Sequence, residues 1–337
     1  MDSLTQIALG AAVGTAVMGR RAGYRAPLWG AVLGTLPDLD ALIPMGGPVA
    51  DFTYHRSFSH SLLVLAAMAP LWAWLIRQIH PAYGAHRRGW LWLALLALLT
   101  HPLLDAFTIY GTQLLWPLDH TPIGLGSIFI IDPLYTLPLL AGAGAFLALR
   151  DRSRGLRLNA IGLLLSCSYL GWSAWVQEQV EATAQRHLAA SAIAHHQVLV
   201  QPAPFTTLLW RVLVMSDDAY YEGFHSLWDQ RPLQLRRYPS TPAHLDGLDS
   251  HWPVERLRWF TKGFYKVASH QGELIISDLR MGLEPDYVFQ FKVAQQRGET
   301  LMATPDERRV APRSLARLPA MWRRIWQQPA AADAPGF

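Results

Sequence analysis

Apolar runs of membrane-spanning length recur through the first half of this chain, at 3–19, 26–43, 61–79, 90–107, 128–149 and 157–176. A helix needs about 20 apolar residues to cross the hydrocarbon, with roughly 17 as a lower limit. Inside a bilayer the backbone must satisfy its own hydrogen bonds, which leaves helices or closed barrels. The runs therefore predict an α-helical polytopic membrane bundle of about six segments. They are not equivalent. The last two are uninterrupted, the first is rich in Gly and Ala, and the third contains Pro70 and meets Arg77 after 15 apolar residues. The second and fourth carry acids and a histidine, a composition that also suits re-entrant or half-buried segments. Charge is scarce for the same reason: 16% of the 337 residues are charged, against about a quarter in soluble domains.

The basic residues order the loops. GRRAGYR (19–25) and RQIHPAYGAHRRG (77–89) hold three arginines each and RDRSRGLR (150–157) holds four, whereas 44–60 and 108–127 hold one between them, Arg56. By the positive-inside rule the arginine clusters face the cytoplasm. The amino terminus, HRSFSHS (55–61) and everything after 176 then lie outside. A net charge of +4, dispersed in this way, reads as a topology signal and predicts no nucleic-acid partner. No cleavable signal peptide is expected, because Arg20 and Arg21 follow the first apolar stretch. The single cysteine, Cys167, lies in an apolar run and permits neither an internal disulfide nor a thiolate-built metal site.

Three polar segments converge on the outer side. GTLPDLDALIP (34–44) closes the second run with Asp38 and Asp40, HRSFSHS opens the third with His55 and His60, and THPLLDAFTIYGTQLLWPLDH (100–120) closes the fourth with His101 and Asp105. The H-x-x-x-D spacing stacks His101 and Asp105 on one helix face. Asp38 and Asp40 share a face if extended and diverge if helical. His55 and His60, five apart, meet more easily across a loop or first turn, where Ser57 or Ser59 can cap the following helix. A charge near the bilayer interior costs at least ~2.5–3.5 kcal/mol, and Arg56 is the one permanent cation nearby. A divalent ion balances these acids and uses the ligands offered. Imidazole with carboxylate and no thiolate suits Zn, with Mn or Fe as alternatives, ahead of Ca or Mg. The number of donors allows one ion or two. Asp40, His55 or His60, His101 and Asp105 are expected within ligand distance of a common point, with Arg56 lining the outer approach to clamp an oxyanion. Asp38, Arg56 and Ser59 are the candidate catalytic groups.

MDSLTQIALGAAVG, LPDLD, HRSFSHS, THPLLDAFTIYGTQLLWP and SIFIIDPLYTLPLL together resemble the bacterial inner-membrane proteins of the YdjM/YbcI/YfhP type, a family of membrane-bound metal-dependent hydrolases. The likeness covers roughly 1–180. It implies an inner-membrane location, a divalent metal, and a ligand set drawn from Asp38, Asp40, His55, His60, His101 and Asp105. Some relatives carry a histidine where this chain has Gln6. The ligand order is also similar, more weakly, to the zinc-dependent phospholipase C group, which favours a phosphoester and makes membrane lipids or a lipid-linked phosphate the expected partners. Type 2 phosphatidic acid phosphatases share a serine–histidine motif and an H-x-x-x-D, with histidine as nucleophile and no metal; their lysine–arginine motif is missing here. A metal-stabilised scaffold is the non-enzymatic alternative.

After 176 the texture is that of soluble protein. Residues 177–198 predict a polar helical connector in which His195 and His196 are exposed and without a role. Residues 199–310 predict an extracytoplasmic α+β domain with a small antiparallel sheet, read from TTLLWRVLVMS, AYYEGFHSLWD, RLRWFTKGFYKVAS, ELIISDLRM and YVFQFKV. Its aromatics are expected in the core. Residues 311–337 predict a tail, disordered in its Pro/Ala stretch. The membrane-embedded, metal-site domain is 1–176.

Overall fold

The computed structural model describes residues 1–297, 300–310 and 316–328. It divides into two compact units, Met1–Ile43 with His55–Ala174, and Pro44–Tyr54 with Trp175–Phe337.

The first unit is helical. It opens with α1 (Ser3–Ala22) and α2 (Arg25–Thr35), joined by a turn at Gly23, whose φ of 62° only glycine adopts at little cost. The two helices touch backbone to backbone. A Cβ on Gly30 would lie 2.0 Å from the Gly10 carbonyl oxygen, and one on Gly14 would lie 2.3 Å from that of Ala26. Small residues at four-residue spacing on both helices permit this approach. Pro37 cannot donate to an α-helical ladder, and the second predicted segment continues past Thr35 as a 3-10 helix, Leu36–Leu42.

A short α3 (Pro48–Tyr54) belongs to the second unit, although the sequence places 44–60 in a loop of the membrane domain. Next, α4 (Leu62–Ile79) buries one stripe, Leu65, Ala69, Ala73 and Ile76, and leaves Leu63, Met68, Leu71 and Trp74 exposed. Among the described residues it is the one helix long and apolar enough by itself to cross a membrane, with 18 residues and a mean hydropathy of 1.7. Its N-cap is Ser61, whose hydroxyl accepts from Val64 N at 3.3 Å, rather than Ser57 or Ser59. The chain stays in a 3-10 turn through His60, so the helix cannot begin before residue 62.

The remaining helices are α5 (Arg87–Asp105), α6 (Pro133–Ala148) and α7 (Arg152–Ala189). Met18, Leu33, Ile76, Trp90, Leu93 and Leu98 centre a core drawn from α1, α2, α4 and α5. Asp132 caps α6 by accepting from Leu134 N (3.0 Å) and Tyr135 N (3.3 Å), and it also accepts from Tyr169 Oη at 2.9 Å. Helix α7 runs without a break through residue 176, where the sequence separates span from connector. Its residues from Trp175 on pack in the second unit, with Val176, Val180, Ala184 and Leu188 buried.

The second unit contains two antiparallel four-stranded sheets. The first is the meander β1 (Gln197–Pro202), β2 (Leu209–Met215), β3 (Ala219–Ser226) and β4 (Leu235–Pro239), in that order. Then come α8 (Trp252–Thr261), β5 (Tyr265–His270), β6 (Glu273–Asp278), the ribbon β7 (Gly282–Leu283) with β8 (Asp286–Tyr287), β9 (Gln290–Arg297) and β10 (Thr300–Arg309). The second sheet has the order β10-β9-β6-β5. RLRWF, read as strand-like, is the end of α8: Pro253, Val254, Leu257, Phe260 and Thr261 are buried at helical spacing. Trp210, Tyr220, Phe260, Tyr287 and Phe291 are fully buried, as expected of core aromatics. Within the predicted tail, Leu318–Trp326 forms α9, while the Pro/Ala stretch at 329–337 lies outside the described residues.

Candidate metal centre

Four donors from three segments meet at one end of the first unit. Asp38 comes from the 3-10 helix after α2, His60 from the turn before α4, and His101 and Asp105 from the last turn of α5. Their ligand atoms all lie within 4.8 Å of one another. His60 Nε2 and His101 Nε2 are 3.1 Å apart. His60 Nε2 is 3.2 Å from Asp105 Oδ2 and 3.5 Å from Asp38 Oδ1, and His101 Nε2 is 3.5 Å from each of those oxygens. A regular tetrahedron around a zinc-like ion, with bonds of about 2.0–2.2 Å, has edges of about 3.3–3.6 Å. Five of the six pair distances, at 3.1–3.5 Å, lie close to those edges, and the sixth, between Asp38 and Asp105, is within 4.8 Å.

Proton positions point the same way. His101 Nδ1 sits 2.6 Å from the Gly34 carbonyl oxygen, which can only accept, so Nδ1 carries the hydrogen. The neutral ring then turns a bare Nε2 lone pair toward His60. His60 Nδ1 is 2.9 Å from Ser59 Oγ, which donates to Asp40 Oδ2 at 2.5 Å. With its own hydroxyl proton committed to Asp40, Ser59 accepts from Nδ1, which leaves Nε2 as the His60 nitrogen that faces His101 and the two carboxylates. Two imidazole nitrogens and two carboxylates face one point. Asp105 Oδ2, fully buried, makes no hydrogen bond among the described residues. A divalent cation is the species that fits this donor set.

Asp40 and His55 stand behind the four donors and form a pair of their own, His55 Nδ1 to Asp40 Oδ1 at 2.8 Å. Asp40 also accepts from Arg56 N at 3.0 Å. The acids at 38 and 40 diverge because 36–42 is helical, as the sequence allows. His55 and His60 face each other across the 55–60 turn, ring centroids 5.9 Å apart. Arg56 does not line an outer approach. It is buried, with Nε 3.2 Å from Asp105 Oδ2, Nη1 donating to Thr108 Oγ1 at 3.1 Å, and its guanidinium 4.9 Å from the Tyr110 ring centroid. Asp105 Oδ1 takes Gln6 Nε2 at 3.1 Å and the amino group of Met1. Gln6 is buried beside the cluster, and its Oε1 has no hydrogen-bond partner among the described residues.

Sequence reasoning did not anticipate the Gly34 carbonyl, Thr108 or Tyr110. The last two stand in the T-x-x-G-T stretch after Asp105, so a signal for them was present. No side chain marks the carbonyl, and the packing of α2 against α5 brings that backbone close. Side-chain exposure grades the site: Asp38 (19%) and His55 (24%) reach solvent, whereas His60, His101 and Asp105 are fully buried.

Residues 1–180 match the family described as YdjM inner membrane protein. The chain is also 26% identical over 187 residues to YfhP of Bacillus subtilis (strain 168), itself described as uncharacterized; the match covers 56% of this chain and 54% of that protein. The chain thus spans about half the length of the curated relative it matches. No solved structure matches.

Proposed function

The chain belongs to the YdjM inner membrane protein family, and we propose that it is a multi-pass, membrane-bound, metal-dependent hydrolase with its centre at Asp38, His60, His101 and Asp105. One observation carries the reading: the two buried imidazoles whose Nε2 atoms face each other at 3.1 Å, each with Nδ1 committed to a partner behind it. An ion held there supplies Lewis acidity toward a phosphoryl or carbonyl oxygen and a source of hydroxide at neutral pH.

This chain's residues supply the rest. Asp38, the one donor with a partly exposed side chain, marks the side from which a substrate enters. His55 holds its Nδ1 on Asp40, which leaves Nε2 as the basic nitrogen of a partly exposed ring, placed to take a proton from water and return it to a leaving oxygen. Arg56 offsets the charge of Asp105, and Asp40 orients His60 through Ser59. The substrate is a phosphoester of a lipid or lipid-linked molecule, reached from the outer leaflet, in keeping with the arginine-poor loops that carry the site.

The closed set of four donors also favours a second reading, an ion that only holds the bundle together, because catalytic zinc sites keep a position open. A histidine-nucleophile phosphatase is less well supported, since both candidate imidazoles are buried and face each other.

The test is metal analysis of the detergent-purified protein beside His60→Ala and His101→Ala, followed by turnover assays on phospholipids, lipid pyrophosphates, amides and esters. Both variants should lose the bound metal and all turnover. Unchanged metal in both defeats the centre. Bound metal without turnover supports the structural ion, and phosphatase activity that survives chelation supports the histidine nucleophile.

A further inference from the structure

The chain leaves the first unit after Ile43 and returns at His55, so the excursion that carries α3 begins four residues after Asp40 and ends one residue before His55. A seven-residue helix does not hold its shape alone in water. Here α3 is built into the second unit. Phe52 is stacked on Phe289 (4.3 Å between centroids), edge-on to Phe260 of α8 (4.8 Å) and 5.3 Å from Phe291 of β9. Arg256 of α8 donates from Nε to Thr53 Oγ1 at 2.9 Å, and its guanidinium lies 4.4 Å from the Tyr54 ring centroid. Val49 N donates to Asp306 Oδ2 of β10 at 2.6 Å. Val49 and Thr53 are fully buried, and Ala50 and Phe52 nearly so.

At the neck of the excursion the chain is tied within the first unit. Asp40 holds His55 Nδ1 and Arg56 N on its two oxygens, and Arg56 turns there with φ 63°. From the same carboxylate the contacts run through Ser59 Oγ to His60 Nδ1. Whatever sets the backbone of Tyr54 also sets His55 one bond later, and Asp40, Ser59 and His60 follow by hydrogen bonds of 3.0 Å or less.

We propose that the second unit positions the metal centre by gripping α3, with Phe52 and Arg256 as positioning residues. The proposal rests on the reading that Asp38, His60, His101 and Asp105 bind a metal. Linkage is reciprocal: if α3 docking tightens metal binding by some factor, metal must tighten α3 docking by the same factor. A domain that merely hangs from the bundle has no such effect in either direction.

The experiment uses the full chain in detergent. Zn²⁺ affinity is measured by competition with a chromophoric chelator for wild type, Phe52→Ala, Phe52→Leu and Arg256→Gln, and amide exchange over 48–54 is followed with and without Zn²⁺. Phe52→Ala and Arg256→Gln should weaken Zn²⁺ by about fivefold or more, Phe52→Leu should restore most of it, and Zn²⁺ should slow exchange at 48–54 in wild type. Equal affinities, with exchange at 48–54 indifferent to Zn²⁺, overturn the coupling and leave the metal centre standing. No Zn²⁺ uptake by wild type defeats the centre itself and the coupling with it. Should Phe52→Ala fail to fold, Arg256→Gln and the wild-type exchange comparison decide.

Discussion

The two units bury charge in opposite ways. In the second, four buried or partly buried acids each have a cation of their own: Glu222 with Arg211 (2.5 Å), Asp278 with Arg280 (2.6 Å), Asp229 with Arg324 (2.5 Å) and Glu284 with Lys266 (2.7 Å). In the first, three acids share two cations, both at Asp105: the Arg56 guanidinium and the Met1 amino group, while Asp38 and Asp40 are met by imidazoles and by neutral donors. Paired acids complete a fold by themselves. An unbalanced set of acids, in a chain with few charges to spare, needs something from outside, and the histidine geometry says that the missing partner coordinates nitrogen. The difference separates a region whose acids are paired from one whose His/Asp group could hold a metal ion.

Removing that ion tests the contrast most severely. Structural zinc contributes on the order of 10 kcal/mol to the folds that hold it. Stripping metal from the first unit should therefore abolish exchange protection across 34–40, 55–61 and 101–108, while β2 and β3 keep theirs. Equal protection before and after chelation would mean that the acids are balanced without an ion.

The converse change lies in the second unit. Arg211→Ala strands Glu222 in a buried site and should cost about 3–5 kcal/mol of that unit's stability, read by denaturant unfolding, with metal content unchanged. A variant that unfolds normally would place the Arg211–Glu222 pair among dispensable surface contacts.

Asp40→Asn sharpens the comparison from within the first unit. It keeps the shape but weakens the hold on Ser59 and His55, and loss of such an outer partner typically lowers metal affinity about 10–100-fold. Metal titration should find that loss while Asp38→Asn loses more; equal losses would make Asp40 a ligand in its own right. Gly30→Ala should act through backbone spacing. The added methyl meets the Gly10 carbonyl oxygen, α1 and α2 must separate, and a cost of about 1–3 kcal/mol is expected in thermal unfolding.

Acid provides the smallest effect. Burial, against the pull of Asp229 and with help from Arg324, holds the His225 imidazole in β3 below its ordinary pKa of 6.5. The unfolded chain therefore takes up this proton first, so stability is full above about pH 6.5 and falls as pH drops below it. His225→Gln should flatten that slope in the second unit by under ~1 kcal/mol, measured by denaturant unfolding between about pH 7.5 and 5.5; an unchanged slope would assign the acid sensitivity elsewhere.

Much of this molecule is local and was legible as such. The apolar runs, the H-x-x-x-D pair on α5 and the divergence of Asp38 from Asp40 follow from helical period and composition, which need only neighbouring residues. Strand content after 197 and the burial of its aromatics follow in the same way, although the helical period inside RLRWF was masked by its β-prone residue types. The excursion at 44–54 was not legible. Its partners, Phe260, Phe289, Phe291 and Asp306, lie over 200 residues away in sequence, and nothing in PVADFTY distinguishes a loop from a docked helix.

The sequence by itself determined that acids and imidazoles would be stranded at one end of an apolar bundle with too few cations, because charge and hydropathy are additive along the chain. Which acid faces the histidines and which stands behind them was decided only by tertiary structure. That choice depends on the rotation of a 3-10 turn, on the packing of α2 against α5 that brings the Gly34 carbonyl to His101, and on where α3 is anchored, three quantities that no window of neighbouring residues contains.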